Sequence, residues 1–211
     1  MPLQNRVKPD GEIITSPARG ILMGNRGGKL HDPETRTLVR TQSSRQWINC
    51  VLQFKSRQRQ VMGTGYTELF FMDEVTALAA GHRPCFECRR KDALLFRSAW
   101  QTSQALDSPP SAPDMDRVLS TERRAKGGAK ITWTARSGSL PDGAMVRIDD
   151  NLLAIRDRKF LPWTASGYGA GVPLDLNLDV EVLTPPTIAR ILHAGYQPIW
   201  HPGVERAGDK I

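Results

Sequence analysis

Apolar and polar positions alternate in two stretches of the N-terminal half of the chain. Residues 47–54 and 66–72 show the spacing typical of strands whose side chains point to opposite faces. A short basic segment, 55–60, separates them, so the two strands are predicted to form a hairpin. Residues 73–80 follow as a predicted helix, with two acids in its first turn, where the helix dipole favours negative charge.

A proline-rich segment divides the remainder of the chain. Residues 89–104 carry apolar side chains at helical spacing and predict a second helix. Residues 105–113 contain three prolines, which remove backbone donors and block helix, so this segment is predicted to be a loop or linker. Further elements are predicted at 115–124 and 186–194, as helices, and at 143–148, 152–155 and 180–183, as strands.

These elements predict an α+β protein with two parts. Residues 1–104 form a hairpin-plus-helix module, residues 105–113 connect it, and residues 114–211 form a small β-rich part to which the sequence assigns no role. Hydrophobic residues make up 39% of the chain and charged residues 24%, as in ordinary globular proteins. No apolar run approaches the roughly 20 residues of a membrane-spanning helix, and the N-terminus lacks the apolar core of a signal peptide. A cytoplasmic protein is therefore expected.

The charge of the chain favours a polyanionic partner, above all nucleic acid. The formal net charge is +7, and residues 1–60 hold eleven Lys or Arg against four Asp or Glu. A basic surface without a cognate ligand is the alternative. The residues expected to contact phosphates are Arg45, Lys55, Arg57, Arg59, Arg89 and Arg90.

Two cysteines at C-x-x-C spacing, Cys85 and Cys88, indicate a metal site. Soft sulfur ligands at this spacing favour zinc over magnesium or calcium. A redox pair would follow a strand and open a helix, whereas here a helical pattern ends just before the pair. Cys50 is the expected third ligand, although a small buried strand residue is the alternative.

A histidine is expected to complete the zinc shell. His31 is preferred because it lies beside a glycine-rich turn that can bend toward the site, and a Cys₃His set is a known closed zinc shell. His82 is the competitor, with packing against the preceding helix as its alternative role. The zinc is expected to be structural, and Arg89 and Arg90 then have a second role as hydrogen-bond donors to sulfur.

The stretch from Leu69 to Cys88 contains Ala-Gly-His-Arg-Pro-Cys-Phe-Glu-Cys after a strand and a helix. It resembles the second half of the zinc-binding domain of Ada-type DNA alkylation-repair proteins. The resemblance implies zinc, DNA as partner, and a role in DNA repair or modification. It also implies an upstream Cys-x-x-x-Cys pair, one member of which accepts a methyl group. This chain has only Cys50 upstream, which argues against methyl transfer.

The sequence thus predicts a zinc-stabilised protein that binds nucleic acid, most simply DNA. Two other classes stay open: an enzyme, either a nuclease or an alkyl-accepting repair protein with a reactive Cys50, and a zinc-folded protein-interaction module. Trp163 and Tyr168 flank a glycine-rich loop and either stack a base or fill the core, which is the preferred role. The sequence does not predict the oligomeric state.

Overall fold

The computed structural model describes residues 1–56, 58 and 60–204. Arg57 and Arg59, two of the expected phosphate contacts, lie outside the described residues. Helices and sheets are both present, which confirms the α+β class. Six short strands form the first sheet: β1 (Gln4–Val7), β2 (Ile13–Thr15), β3 (Leu22–Asn25), β4 (Ile48–Cys50), β5 (Leu69–Phe71) and β6 (Arg83–Pro84).

The order of strands in this sheet is β2-β1-β5-β3-β4-β6. The predicted hairpin between the segments of β4 and β5 is wrong, because β3 lies between them and pairs with both. Strand β6 adds to the edge of the sheet parallel to β4, with Ile48 opposite Arg83 and Asn49 opposite Pro84. This register places the residues that follow β4 and β6 side by side.

Four helices lie at or near the predicted positions: α1 (Glu74–Ala79), α2 (Arg90–Ser103), α3 (Ala112–Arg123) and α4 (Pro186–His193). Helix α1 begins at the predicted acidic pair, where the Asp73 side chain caps the helix by accepting a hydrogen bond from the Thr76 backbone N–H. A glycine with positive φ follows both α1 and α4, Gly81 at 88° and Gly195 at 98°. Both are left-handed helix stops.

Seven antiparallel strands form the second sheet, in the order β11-β10-β9-β8-β13-β7 with β12 beside β10. The predicted strands near 145, 153 and 181 are present, whereas β7 and the pair β10 and β11 were not predicted. Pro162 in β10 and Gly167 in β11 resemble turn signals. The strands are β7 (Trp133–Arg136), β8 (Met145–Ile148), β9 (Asn151–Arg156), β10 (Lys159–Thr164), β11 (Gly167–Tyr168), β12 (Val172–Pro173) and β13 (Asp179–Val182).

Helix α1 joins the two predicted parts through shared hydrophobic clusters. Its Val75 packs in a cluster with Met145 and Leu161 from the second sheet, and its Leu78 packs in another with Phe96 and Ile191. Two of the four clusters therefore contain residues from both sides of the 105–113 loop. Among the described residues, no helix combines the length and apolar character needed to cross a membrane.

Candidate metal centre

The pairing of β4 with β6 brings the three cysteines together. Cys50 is the last residue of β4, and Cys85 follows β6 directly. The Cys85 N–H donates to the Asn49 carbonyl at 3.0 Å, which extends the contact between the two strands by one step. Cys88 then completes a turn that leads into α2. The pair therefore does follow a strand and precede a helix, so its context alone does not separate a metal site from a redox site.

The third cysteine distinguishes these two kinds of site. The sulfur atoms of Cys50, Cys85 and Cys88 all lie within 4.8 Å of one another, and all three thiols are free. Zinc–sulfur bonds of about 2.3 Å in a tetrahedral shell hold thiolates about 3.8 Å apart. The three residues thus fit one soft metal ion and can hold it.

The environment of Cys85 favours its thiolate form. Hydrogen bonds from the Cys50 and Cys88 thiols lower the pKa of Cys85, and the same contact raises the pKa of Cys50. The Glu87 backbone N–H also points at the Cys85 sulfur, at 3.4 Å. These contacts hold the three sulfur atoms together as one group.

A buried ion pair lies next to the two segments that carry the cysteines. The Arg89 guanidinium donates to both carboxylate oxygens of Glu74 at 2.8 Å, and it also donates to the Asn49 side chain. Asn49 in turn donates to the His82 carbonyl at 3.3 Å. Helix α1, strand β4 and the start of α2 are thereby connected next to the sulfur atoms.

The structure does not bring His31 to the cysteines. Its ring is buried, with Nδ1 2.6 Å from the Thr67 hydroxyl and Nε2 2.8 Å from the Gly63 carbonyl. Both nitrogen atoms therefore have partners away from the sulfur atoms. Within the described part of the chain, no fourth His, Cys, Asp or Glu joins the group. The Cys₃His arrangement expected with His31 is corrected to a group of three thiols.

His82 does not join the thiols either, and its ring packs against one aromatic residue of the first sheet and another just before β4, not against the preceding helix that was its alternative. Its ring lies between Trp47, at 4.9 Å between ring centroids, and Phe71, at 4.7 Å. Its Nε2 accepts from the Arg26 guanidinium at 3.3 Å, and burial followed by the charge of Arg26 lowers its pKa well below the usual value. The two aromatic rings and the neighbouring guanidinium therefore favour a neutral imidazole.

A cavity of about 820 Å³ opens beside the three thiols. Cys50, Cys85 and Cys88 all contact it, and Cys50 and Cys88 are partly exposed. The side chains around it include Phe54, Tyr66 and Phe70, together with the exposed Lys55. The cluster is thus accessible from a cavity large enough for a small organic group.

The expected phosphate contacts fall into two groups. Arg45, Lys55 and Arg90 are exposed. Arg89 is different, because its side chain is fully buried and its donors go to Glu74, Asn49 and Asp92. Although burial alone lowers its pKa, the Glu74 carboxylate raises it above the usual value. Arg89 is therefore an internal cation and not a surface contact for phosphate or a donor to sulfur.

Trp163 and Tyr168 belong to the interior. The Tyr168 hydroxyl donates to the Asp73 carboxylate at 2.8 Å, and the Trp163 indole donates to the Thr76 hydroxyl at 2.9 Å. Both rings pack with the cluster that joins α1 to the second sheet. The core role preferred from the sequence is the one that these contacts support.

No family model matches this chain, and neither a curated protein nor a solved structure gives a significant match. The resemblance of residues 69–88 to the Ada-type zinc-binding domain therefore stays a prediction that depends on the motif.

Sequence reasoning missed the ion pair of Glu74 with Arg89 and the cavity beside the thiols. The acid at position 74 was explained by the helix dipole alone, and nothing in the local pattern indicated a partner so close to Cys88. The only sequence signal for the cavity was the pair Tyr66 and Phe70. They lie four positions apart in a segment predicted to be one strand, so both rings would be on the same face.

Proposed function

We propose that the protein is a zinc-binding protein that binds nucleic acid, with Cys50, Cys85 and Cys88 as the zinc ligands. The observation that supports it is the convergence of three free thiols, from two distant segments, within 4.8 Å. Soft thiolate ligands favour zinc over hard cations. The metal would fasten the end of β4 to the turn before α2, and its remaining position would face the cavity.

Exposed basic residues support nucleic acid, and DNA in particular, as the proposed partner. Lys55 lies at the cavity beside the thiols, Arg45 is exposed in the segment before β4, and Arg90 is exposed at the start of α2. A formal net charge of +7 attracts polyanions over a distance. A phosphate backbone that follows these residues would pass close to the metal.

The metal assignment is tested by elemental analysis of protein purified under reducing conditions. We expect one zinc per chain in the wild type and in His31→Ala, because both ring nitrogens of His31 already have other partners. Cys50→Ser and Cys85→Ser should lose zinc, since two thiols alone bind it far more weakly. A wild-type protein without zinc, or a His31→Ala variant without zinc but still folded, would contradict this assignment.

The nucleic-acid assignment is tested by fluorescence anisotropy with duplex and single-stranded DNA over a salt series. Phosphate contacts require log Kd to change linearly with log salt. Lys55→Gln should weaken binding of all sequences and reduce the slope by about 1. Arg136→Gln, which removes an exposed charge paired with Asp179 on the second sheet, is the matched control. An affinity for DNA that does not change with salt would contradict the nucleic-acid assignment and would leave the metal assignment unaffected.

A further inference from the structure

A second cavity, of about 650 Å³, shares no residue with the cavity beside the thiols. It lies where the N-terminal segment before β2 meets the segment after α3. Four cations line it: Arg40, Arg124, Lys130 and Arg147. Such a wall is a candidate for a bound anion only if these charges are not already neutralised by the protein.

The two acids in this wall are already paired. The Asp10 carboxylate lies 3.3 Å from the Lys8 ammonium and 3.5 Å from the Arg147 guanidinium. Glu12 lies 2.5 Å from the same Lys8. These acids therefore pair with Lys8 and Arg147. The other three cations that line the cavity form no ion pair with them.

Arg40, Arg124 and Lys130 have no carboxylate within 4.0 Å among the residues that the structure describes. Arg124 donates to the carbonyls of Gly11, at 2.9 Å, and Gly128. Lys130 donates to the Ala79 carbonyl at 2.6 Å. Neutral carbonyls use two of the five N–H groups of Arg124 and one of the three of Lys130. The other N–H groups of both side chains have no hydrogen-bond partner among the residues that the structure describes.

More positive charge lies behind this wall. Arg26 donates to the same Gly11 oxygen as Arg124, at 2.8 Å, so two guanidinium groups meet at one neutral acceptor. The guanidinium groups of Arg26 and Arg123 both lie over the Trp47 ring. Their central carbon atoms are 3.9 and 4.1 Å from the ring centroid. Neither has a carboxylate within 4.0 Å in the described ranges. Buried charges in proteins are ordinarily paired, whereas Arg26, Arg124 and Lys130 feel the charge of Asp10, an acid that already pairs with Lys8 and Arg147.

Burial is the main cause of the lowered pKa values of these groups. Burial and then the charge of Arg124 lower the pKa of Lys130 to about 7. Burial also lowers the pKa of Arg124, and burial together with Arg124 lowers that of Arg26. An anion in the cavity would stabilise the charged form of each group.

We propose that this cavity binds a phosphate group, with Arg124 and Lys130 as its main donors and the exposed Arg40 at its rim. Phosphate presents several oxygen atoms and up to two negative charges, and the guanidinium fork matches this geometry. A cavity of about 650 Å³ exceeds one phosphate ion, so the phosphate is part of a larger molecule, either a free nucleotide or a nucleic-acid chain. The site depends neither on zinc nor on DNA binding.

Isothermal titration calorimetry with inorganic pyrophosphate at low chloride concentration tests the site. The wild type should bind, and Arg124→Gln and Lys130→Met should each bind about tenfold or more weakly, because each loses a charge-assisted hydrogen bond. Arg117→Gln on α3, where Arg117 forms an exposed pair with Asp114, is the matched control and should bind like the wild type. Cys50→Ser should also retain binding.

Arg124 and Lys130 hold backbone carbonyls, so circular dichroism must first establish that their variants are folded. Arg40→Gln keeps the test decisive if they are not, since the exposed Arg40 side chain makes no hydrogen bond within the described part of the chain. It should weaken pyrophosphate binding about threefold. Absence of wild-type binding, or equal binding by Arg40→Gln and every folded cavity variant, would overturn the proposal.

Competition then separates the two sources of the phosphate. If pyrophosphate displaces a labelled oligonucleotide and Arg40→Gln weakens both ligands, the cavity receives a nucleic-acid phosphate. If a nucleoside monophosphate binds but the oligonucleotide is not displaced, the ligand is a free nucleotide. Both results support the site, whereas a nucleoside without phosphate that binds as well as its monophosphate would overturn it.

Discussion

The fold lowers the pKa of Lys130 far enough for its effect on stability to be measured. An unfolded chain gives lysine a pKa of about 10.4, and burial beside Arg124 lowers it to about 7 in the folded protein. Between these two values the unfolded state binds more protons than the folded state. Stability from this group therefore rises with pH across that window and is flat below it.

Comparison of the wild type with Lys130→Met isolates this effect. The free energy of unfolding of the wild type, relative to that of the variant, should increase from pH 7 to pH 10, because over this range the unfolded chain gradually releases the Lys130 proton that the folded protein has already lost. Urea unfolding at several pH values measures it. Contributions of the cysteines and other groups cancel in the difference, and a difference independent of pH would refute the linkage.

At the scale of elements, the first turn of α1 contains two adjacent buried carboxylates with separate partners. Asp73 accepts from the Tyr168 hydroxyl and from the His201 N–H at 3.2 Å. Glu74 accepts from the Arg89 guanidinium and from the Tyr196 hydroxyl at 2.8 Å. Through its N-terminus this short helix thus contacts the second sheet, the residue that precedes α2, and the C-terminal segment.

Glu74→Gln keeps the shape of this side chain but removes its charge and leaves Arg89 buried beside a neutral amide. Loss of one partner of a buried pair typically destabilises a protein by about 3 kcal/mol or more, although Asp92 still pairs with Arg89. Urea unfolding should detect this loss. Asp114→Asn, in an exposed pair with Arg117, should change stability far less, because solvent screens exposed pairs. A Glu74→Gln variant as stable as Asp114→Asn would show that the pair contributes little.

At the scale of the molecule, local patterns predicted what depends on nearby residues. Helix α1 with its acidic first turn and helix α2 follow from spacing and dipole effects within a few positions. The hairpin prediction failed because β3, far earlier in the chain, inserts between β4 and β5. Strand pairing depends on contacts between distant segments, and alternation in one segment does not indicate its neighbour.

The same distinction applies to the candidate site. Spacing alone indicated Cys85 and Cys88, and the scarcity of cysteine indicated Cys50. The choice of His31 relied on how a flexible turn can bend, whereas Thr67 and Gly63 occupy both of its ring nitrogens. The cations around Arg124 were counted as part of the net charge, since a sequence does not reveal which of its basic residues are buried.

The partners of Asp73 and Glu74 make the start of α1 depend on residues more than 100 positions later in the chain. Tyr196, Ile199 and His201 supply hydrogen bonds that these two acids accept. A chain cut before residue 196 would lose these donors, and a buried carboxylate without its donors is costly. Truncation of the C-terminal segment should therefore destabilise a helix that lies in the N-terminal half of the chain.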